Sequence, residues 1–321
     1  MKDKPMHPVQ ERVEICNACG ATDQKELHHM PAGFYSHHAY TTYPWDGAQQ
    51  ASFTIVQCKA CGLIFQNPRF KSEHLGLLYT DRVEETVDME KELARHKFQP
   101  LLDLIHQHVQ TSSSNPLSLD IGTRFGLLPA LLCRHGFDAH GIEYNPLCVE
   151  LAARSGCKQV HQGTVDSLDE VMQAIGKDRI HLVTMTDVIE HLLDPMADLT
   201  ALARFQSAGD CMVIQTVDIG SWGYRLFGKW WYHLHAQHTY YFDEAMLRRY
   251  FNALGYDITA VLKVRRLNNL TILPKVWRAF KQHQKDRNRL NAEGEQQKKM
   301  WFAEGRPTLF DIITVVAKKR G

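Results

Sequence analysis

The sequence predicts a doubly wound α/β fold preceded by a small metal-held module. Three observations carry this: short apolar strands that alternate with helical stretches from Leu117 onward, a glycine turn directly after the first of those strands, and two CxxC knuckles near the amino terminus. Alternation of this kind builds βαβ units with right-handed crossovers, and hence a mainly parallel sheet with helices on both faces.

Size and composition agree with two structural units. The chain has 321 residues, 44% hydrophobic and 23% charged, which suits an ordinary folded protein with a substantial core. A formal net charge of +1 gives no global attraction to nucleic acid or to a membrane surface. The first residues lack the apolar stretch of a signal peptide, and no run of about 18 apolar residues follows. These features predict a cytoplasmic protein, leave the oligomeric state open, and leave its partners to be argued from its sites.

In chain order, residues 1–70 are rich in Cys, His, Pro and aromatic residues and show little helical periodicity, as expected of a short-stranded module organised by a metal. Residues 71–116 form a helical bridge and linker, with Leu93, Phe98, Leu101, Leu102 and Ile105 at helix-like intervals and a break in the polar run that ends at Pro116. Residues 117–321 are expected to form the main α/β domain. Strands are expected at Leu117–Ile121, Asp138–Glu143, Cys157–His161, Ile180–Thr186, Cys211–Thr216, Tyr256–Leu262 and Asp311–Ala317, with helices from about Phe125, from Pro146 and over Asp243–Leu254. A polar, basic helical insert is expected at about 274–305.

Cys16-Asn-Ala-Cys19 and Cys58-Lys-Ala-Cys61 are each followed at once by glycine. Zinc favours four thiolates at tetrahedral corners, and a two-residue spacer lets one tight turn present two sulfurs to the same ion. In a reducing compartment metal binding explains such clustering better than disulfides. Cys16, Cys19, Cys58 and Cys61 are therefore the expected ligands of a structural zinc, with no position open to substrate.

The segment from Leu117 to Gly126 reads as a strand, a glycine turn and a helix start. Gly122 permits a sharp turn and close approach of a ligand, Gly126 opens the helix, and Asp120 can hold the loop or a cationic group. About twenty residues on, Glu143 ends the second strand, where a carboxylate accepts ribose hydroxyl protons. The dinucleotide pattern GxGxxG fails, because Arg124 and Leu127 stand where its later glycines belong. The pattern DxGxxxG followed by a strand ending in Glu resembles class I S-adenosylmethionine-dependent methyltransferases, and the segment Leu182 to Pro195 resembles their fourth-strand region. Cys61-Gly-Leu-Ile-Phe-Gln-Asn-Pro68 further resembles the zinc-module branch that includes deoxysugar C-methyltransferases.

The resemblance implies a seven-stranded sheet whose last strand is antiparallel and lies between its neighbours near one edge. It implies that Gly122 and Thr123 contact the methionine part of S-adenosylmethionine, Glu143 and Tyr144 its ribose and adenine, Thr164 and Val165 the adenine edge, and that Asp187 and Val188 form the cofactor floor. The segment from Trp230 to Phe242 resembles a motif carrying an acid and a histidine, with His238 at the histidine and Gln237 replacing the acid. His238 and, after the fourth strand, His191 are the candidate general bases for methyl transfer to a small hydroxylated molecule, a nucleotide-linked sugar or a secondary-product precursor. Arg124, where the family has glycine, leaves a second class open: a zinc-containing binding or scaffold protein with a degenerate methyltransferase fold.

Overall fold

Leu117–Ile121 is buried at all five positions, which is what an interior strand covered on both faces requires, and it lies inside the larger sheet with a parallel strand on each side. The computed structural model describes residues 7–32, 51–75, 98–154, 156–231, 233–263 and 311–321. Their strands are β1 (Gln10–Glu11), β2 (Gln24–Met30), β3 (Phe53–Cys58), β4 (Ile64–Gln66), β5 (Arg69–Phe70), β6 (Leu117–Ile121), β7 (Asp138–Glu143), β8 (Val160–Gln162), β9 (Leu182–Thr186), β10 (Cys211–Val217), β11 (Tyr240–Tyr241), β12 (Tyr256–Lys263) and β13 (Ile312–Lys319).

Seven of these form one sheet in the order β12-β13-β10-β9-β6-β7-β8. The run from β10 to β8 is parallel, and β13 is antiparallel to both β10 and β12. This is the expected doubly wound sheet, with its last strand inserted between its neighbours. Strand order reverses between β6 and β9, so the connections leaving these two strands diverge and open a crevice at their carboxyl ends.

Most elements lie where the residue pattern put them, and the shifts have local causes. The helix expected from Phe125 begins at Leu127, because Arg124 and Gly126 adopt left-handed φ values of 53° and 69° that interrupt a helical path. The strand expected from Cys157 begins at Val160. The N–H groups of Gly156 and Cys157 instead donate to Ala153 and Ala152, closing the preceding helix Pro146–Arg154. Residues 98–108 of the expected bridge are helical, and their apolar face packs on Leu128, Leu132 and the strands beneath. The insert at about 274–305 and part of the bridge lie outside the described residues.

The amino-terminal segment forms an antiparallel sheet in the order β11-β4-β3-β2. Its edge strand β11 is contributed from far along the chain, with Tyr240 opposite Phe65 and Tyr241 opposite Ile64. Cys16, Cys58, Leu63 and Phe65 share one apolar cluster with Leu119, Met185 and Tyr250. Asn17 adds polar links, accepting from Tyr250 Oη at 2.8 Å and from the Met196 N–H at 3.3 Å. Arg69 donates to the carbonyl of Leu193. The cysteine segment thus packs against the large sheet and pins the two chain stretches, 190–196 and 238–242, that border the crevice.

Candidate cofactor crevice, histidine cluster and metal centre

The two knuckles have matching backbones. Cys16 N–H donates to Ala21 and Cys58 N–H to Leu63, both at 2.9 Å, while Gly20 and Gly62 donate back to the carbonyls of Cys16 and Cys58 at 2.8 and 2.9 Å. Both glycines have φ above +70°, the left-handed conformation that turns each knuckle. Cys16 Sγ lies 3.5 Å from Cys61 Sγ and Cys19 Sγ 3.6 Å from Cys58 Sγ, and all four sulfurs fall within 4.8 Å of one another. A tetrahedral zinc with bonds of about 2.3 Å separates its sulfurs by about 3.8 Å, so this donor set fits the ion with little adjustment. Burial pushes the Cys16 thiol well up, a cost that a bound dication removes.

At the carboxyl end of β6, Gly122 sits at φ 69°. A Cβ there would lie 2.6 Å from Val188 Cγ2, so the glycine lets the turn press against the loop after β9. Among the described residues only two without glycine's freedom have positive φ, Arg124 at 53° and Asp187 at 58°. They lie on the two loops that flank the reversal of strand order, and strained backbone of this kind gathers at ligand sites. The N–H of Arg124 donates to Glu143 Oε2 at 2.7 Å, and the N–H of Asn145 to Oε1 at 2.8 Å. Each carboxylate oxygen keeps acceptor capacity for a further donor. Tyr144, next in the chain, is 55% exposed despite its apolar ring.

The other expected cofactor residues divide into framework and rim. Asp120 is buried and accepts from Thr184 Oγ1 at 2.6 Å, tying β6 to β9 beneath the loop. Thr123 is also buried, its side chain filling the space over Gly141 on β7. Gly126 brings its backbone against Cys157 and Val160. Thr164 caps the short turn Val165–Ser167, with the N–H of Asp166 donating to its hydroxyl at 3.2 Å, and Val165 is buried behind it. Gly163, just before, donates to the Glu143 carbonyl and so sets this rim beside β7.

The structure brings His191 and His238 together: their ring centroids are 4.8 Å apart, edge to face. His191 lies three positions after Val188, and its Nδ1–H donates to the Gln237 carbonyl at 2.8 Å, which turns Nε2 into the acceptor nitrogen. The Thr239 N–H donates to the Glu190 carbonyl at 2.7 Å, locking the two segments side by side. The ring of His235 lies 3.7 Å from that of His238, with His233 at 6.1 Å on a parallel plane. Burial, followed by the neighbouring His235, His191 and His233, holds His238 well below the usual histidine range; burial also lowers His191. Both imidazoles are therefore neutral near pH 7, as a base or a metal ligand must be.

A model of the family described as a methyltransferase domain matches residues 93–261, more than half of the chain and the whole of this crevice. The chain belongs to the methyltransferase domain family. Among curated relatives, the ubiquinone biosynthesis O-methyltransferase of Cereibacter sphaeroides strain ATCC 17029 is 29% identical over 143 residues, which cover 38% of this chain and 56% of that protein. The counterpart in strain ATCC 17025 is 30% identical with the same coverage. The chain thus spans only a little over half the length of the curated relatives it matches. A solved S-adenosylmethionine-dependent methyltransferase from Archaeoglobus fulgidus superposes with a TM-score of 0.43 at 16% identity, covering 71% of this chain and 94% of that one. Magnesium protoporphyrin IX methyltransferase of Synechocystis with bound SAH gives 0.45 at 12% identity, covering 70% and 83%.

In this methyltransferase domain one functional candidate escaped the reading of the sequence. Glu190 is completely buried, and its Oε2 accepts from Thr216 Oγ1 at 2.8 Å. It adjoins His191 in the chain, but its approach to His238 depends on β11 joining the cysteine-segment sheet, a pairing that no local pattern announces.

Proposed function

We propose that the protein transfers a methyl group from S-adenosylmethionine to a hydroxyl of a small molecule. The observation that carries this reading is the carboxylate of Glu143, held by the Arg124 and Asn145 N–H groups beside the point where the strand order reverses. Its remaining acceptor capacity suits the two ribose hydroxyls, and the exposed ring of Tyr144 offers a face for adenine. Gly122, Thr123, Asp187 and Val188 line the methionine side, and Thr164 and Val165 the adenine edge. Asp120 and Gly126 act from behind by fixing the loop.

When bound, the cofactor supplies an electrophilic methyl on a sulfonium. The chain's own task is to orient the accepting oxygen, exclude water and take up the hydroxyl proton. His191 and His238, neutral and side by side at the end of β9, are suited to hold that proton. Arg124 does not argue for a degenerate site: its N–H binds Glu143 while its guanidinium lies 5.0 Å from the centre of the Phe125 ring. A hydroxyl acceptor also accords with Gln237, which stands where the sugar C-methyltransferase motif has its acid. Nucleotide-linked sugars and secondary-product precursors are the substrate classes to test first.

Calorimetry with S-adenosylmethionine and with its demethylated product tests the reading. Binding of both is the expected result. Binding of neither, by folded and zinc-replete protein, would leave a zinc-containing scaffold as the correct description.

A further inference from the structure

Glu190, His191 and His238 each offer one ligating atom, and these three atoms lie within 4.8 Å of one another. We propose that this triad is a second metal site, for a divalent first-row transition metal, separate in position and chemistry from the four thiolates.

Four observations carry it. The donor set is one carboxylate and two imidazoles, the combination that holds zinc in open catalytic sites and iron or manganese in facial triads. Glu190 is completely buried, and its second oxygen is fixed by Thr216 Oγ1, the outer hydrogen bond that orients a metal-binding carboxylate. His191 donates its Nδ1–H to the Gln237 carbonyl, which leaves Nε2 as the ligating nitrogen in a fixed tautomer. The His238 ring, only 5% exposed, interacts with the His233 backbone, and its Nδ1 is buried with no hydrogen-bond partner of its own among the described residues. A polar atom in that condition is costly unless something coordinates it, and a cation does.

A metal held by three protein ligands keeps positions for oxygen donors. The ligand class is therefore a hydroxyl, alone or beside a second oxygen such as a vicinal hydroxyl or carboxylate. A bound metal would lower the pKa of that hydroxyl, so that its proton would leave to solvent rather than to His191 or His238, whose nitrogens would then be engaged, and the oxygen would become the better nucleophile. This deepens the O-methyl transfer proposed above and rests on it for its chemical role, although metal binding itself requires no methyl donor.

The test is titration of zinc-replete, full-length protein with Mn²⁺, followed by the loss of the free-ion electron paramagnetic resonance signal, without S-adenosylmethionine. The expected result is one Mn²⁺ per chain with the thiolate zinc retained. Glu190→Gln and His238→Asn should each weaken binding at least about tenfold, the scale on which metal-site disruptions are measured. His140→Asn, in a histidine pair on β7 and β8, should leave it unchanged. If the site variants fail to fold, Co²⁺ added to the zinc-replete wild type should give visible d–d bands without thiolate charge transfer. No Mn²⁺ or Co²⁺ bound at millimolar concentration, or affinity unchanged in folded Glu190→Gln, overturns the proposal. Cofactor binding without metal binding would overturn the metal site alone, and metal binding without cofactor binding would overturn the methyl-transfer reading alone.

Discussion

Arg124 and Glu143 are joined by a backbone-to-carboxylate hydrogen bond of 2.7 Å that spans the crevice-side ends of β6 and β7. With the Asn145 N–H on its other oxygen, Glu143 both closes the loop and presents its remaining acceptor capacity outward. Glu143→Ala should therefore weaken binding of S-adenosylmethionine by roughly 1.5 to 3 kcal/mol, the range for charge-assisted hydrogen bonds. Unchanged affinity by calorimetry would show that the carboxylate serves the loop only. Arg124→Gly, which keeps the N–H and relieves a left-handed residue, should leave affinity within a few-fold.

Gly122→Ala should be costly for two reasons that can be separated. Its φ of 69° disfavours any Cβ, and that Cβ would meet Val188 Cγ2 at 2.6 Å. A loss of about 1 to 3 kcal/mol is expected in denaturant unfolding. The double variant with Val188→Ala should recover the steric part and retain the conformational part. A double variant no better than the single would place the whole effect in the backbone.

Elemental analysis should find zinc held by the thiolates, and Cys58→Ser should lower the melting temperature by leaving an incomplete ligand set. Because Cys16 and Cys58 sit in the same apolar cluster as Tyr250 and Met185, the loss should reach the large sheet. Hydrogen exchange at β9 and at the helix Glu244–Ala253 would report it. Protein freed of zinc with an unchanged melting temperature would exclude a structural ion.

Substitution of either paired histidine should be selective for the chemical step. His238→Ala and His191→Ala should each lower turnover by about 10² to 10⁴-fold while leaving cofactor affinity nearly intact. Near-normal turnover in one of them would identify the other as the group that handles the proton.

Stability should fall on acidification from neutral pH. The Leu117 N–H donates to Nδ1 of His181 at 3.1 Å, which requires a neutral ring, and His140 and His161 share one hydrogen bond at 3.0 Å. Burial lowers all three from their ordinary 6.5. The unfolded chain then takes up protons first, so this contribution is complete above about pH 6.5 and is lost as pH falls through the lower folded values. His181→Asn should flatten the acid side of a melting-temperature profile. Asp198 acts in the opposite sense. Burial, with Asp166 and Asp194 adding to it, raises Asp198 to about 7, so its contribution is lost as pH rises toward that value. Asp198→Asn should raise the melting temperature at pH 8 and matter progressively less toward pH 5.

By itself the sequence determined what is local. Leu117–Ile121 and Asp138–Glu143 have the bounds their apolar pattern predicts, since strand and turn signals act over a few neighbouring residues. The knuckles at Cys16–Cys19 and Cys58–Cys61 were legible for the same reason: thiolate spacing is fixed by the turn that joins each pair. The order of loop, carboxylate and fourth-strand segment located the crevice. Only the tertiary structure decided what crosses the chain. Nothing near Tyr240 announces that it pairs with Phe65, yet that pairing carries His238 to His191 and Glu190. Two histidines that read as alternatives along the chain thereby became neighbours, because hydrogen bonding at a sheet edge joins strands regardless of their separation in sequence.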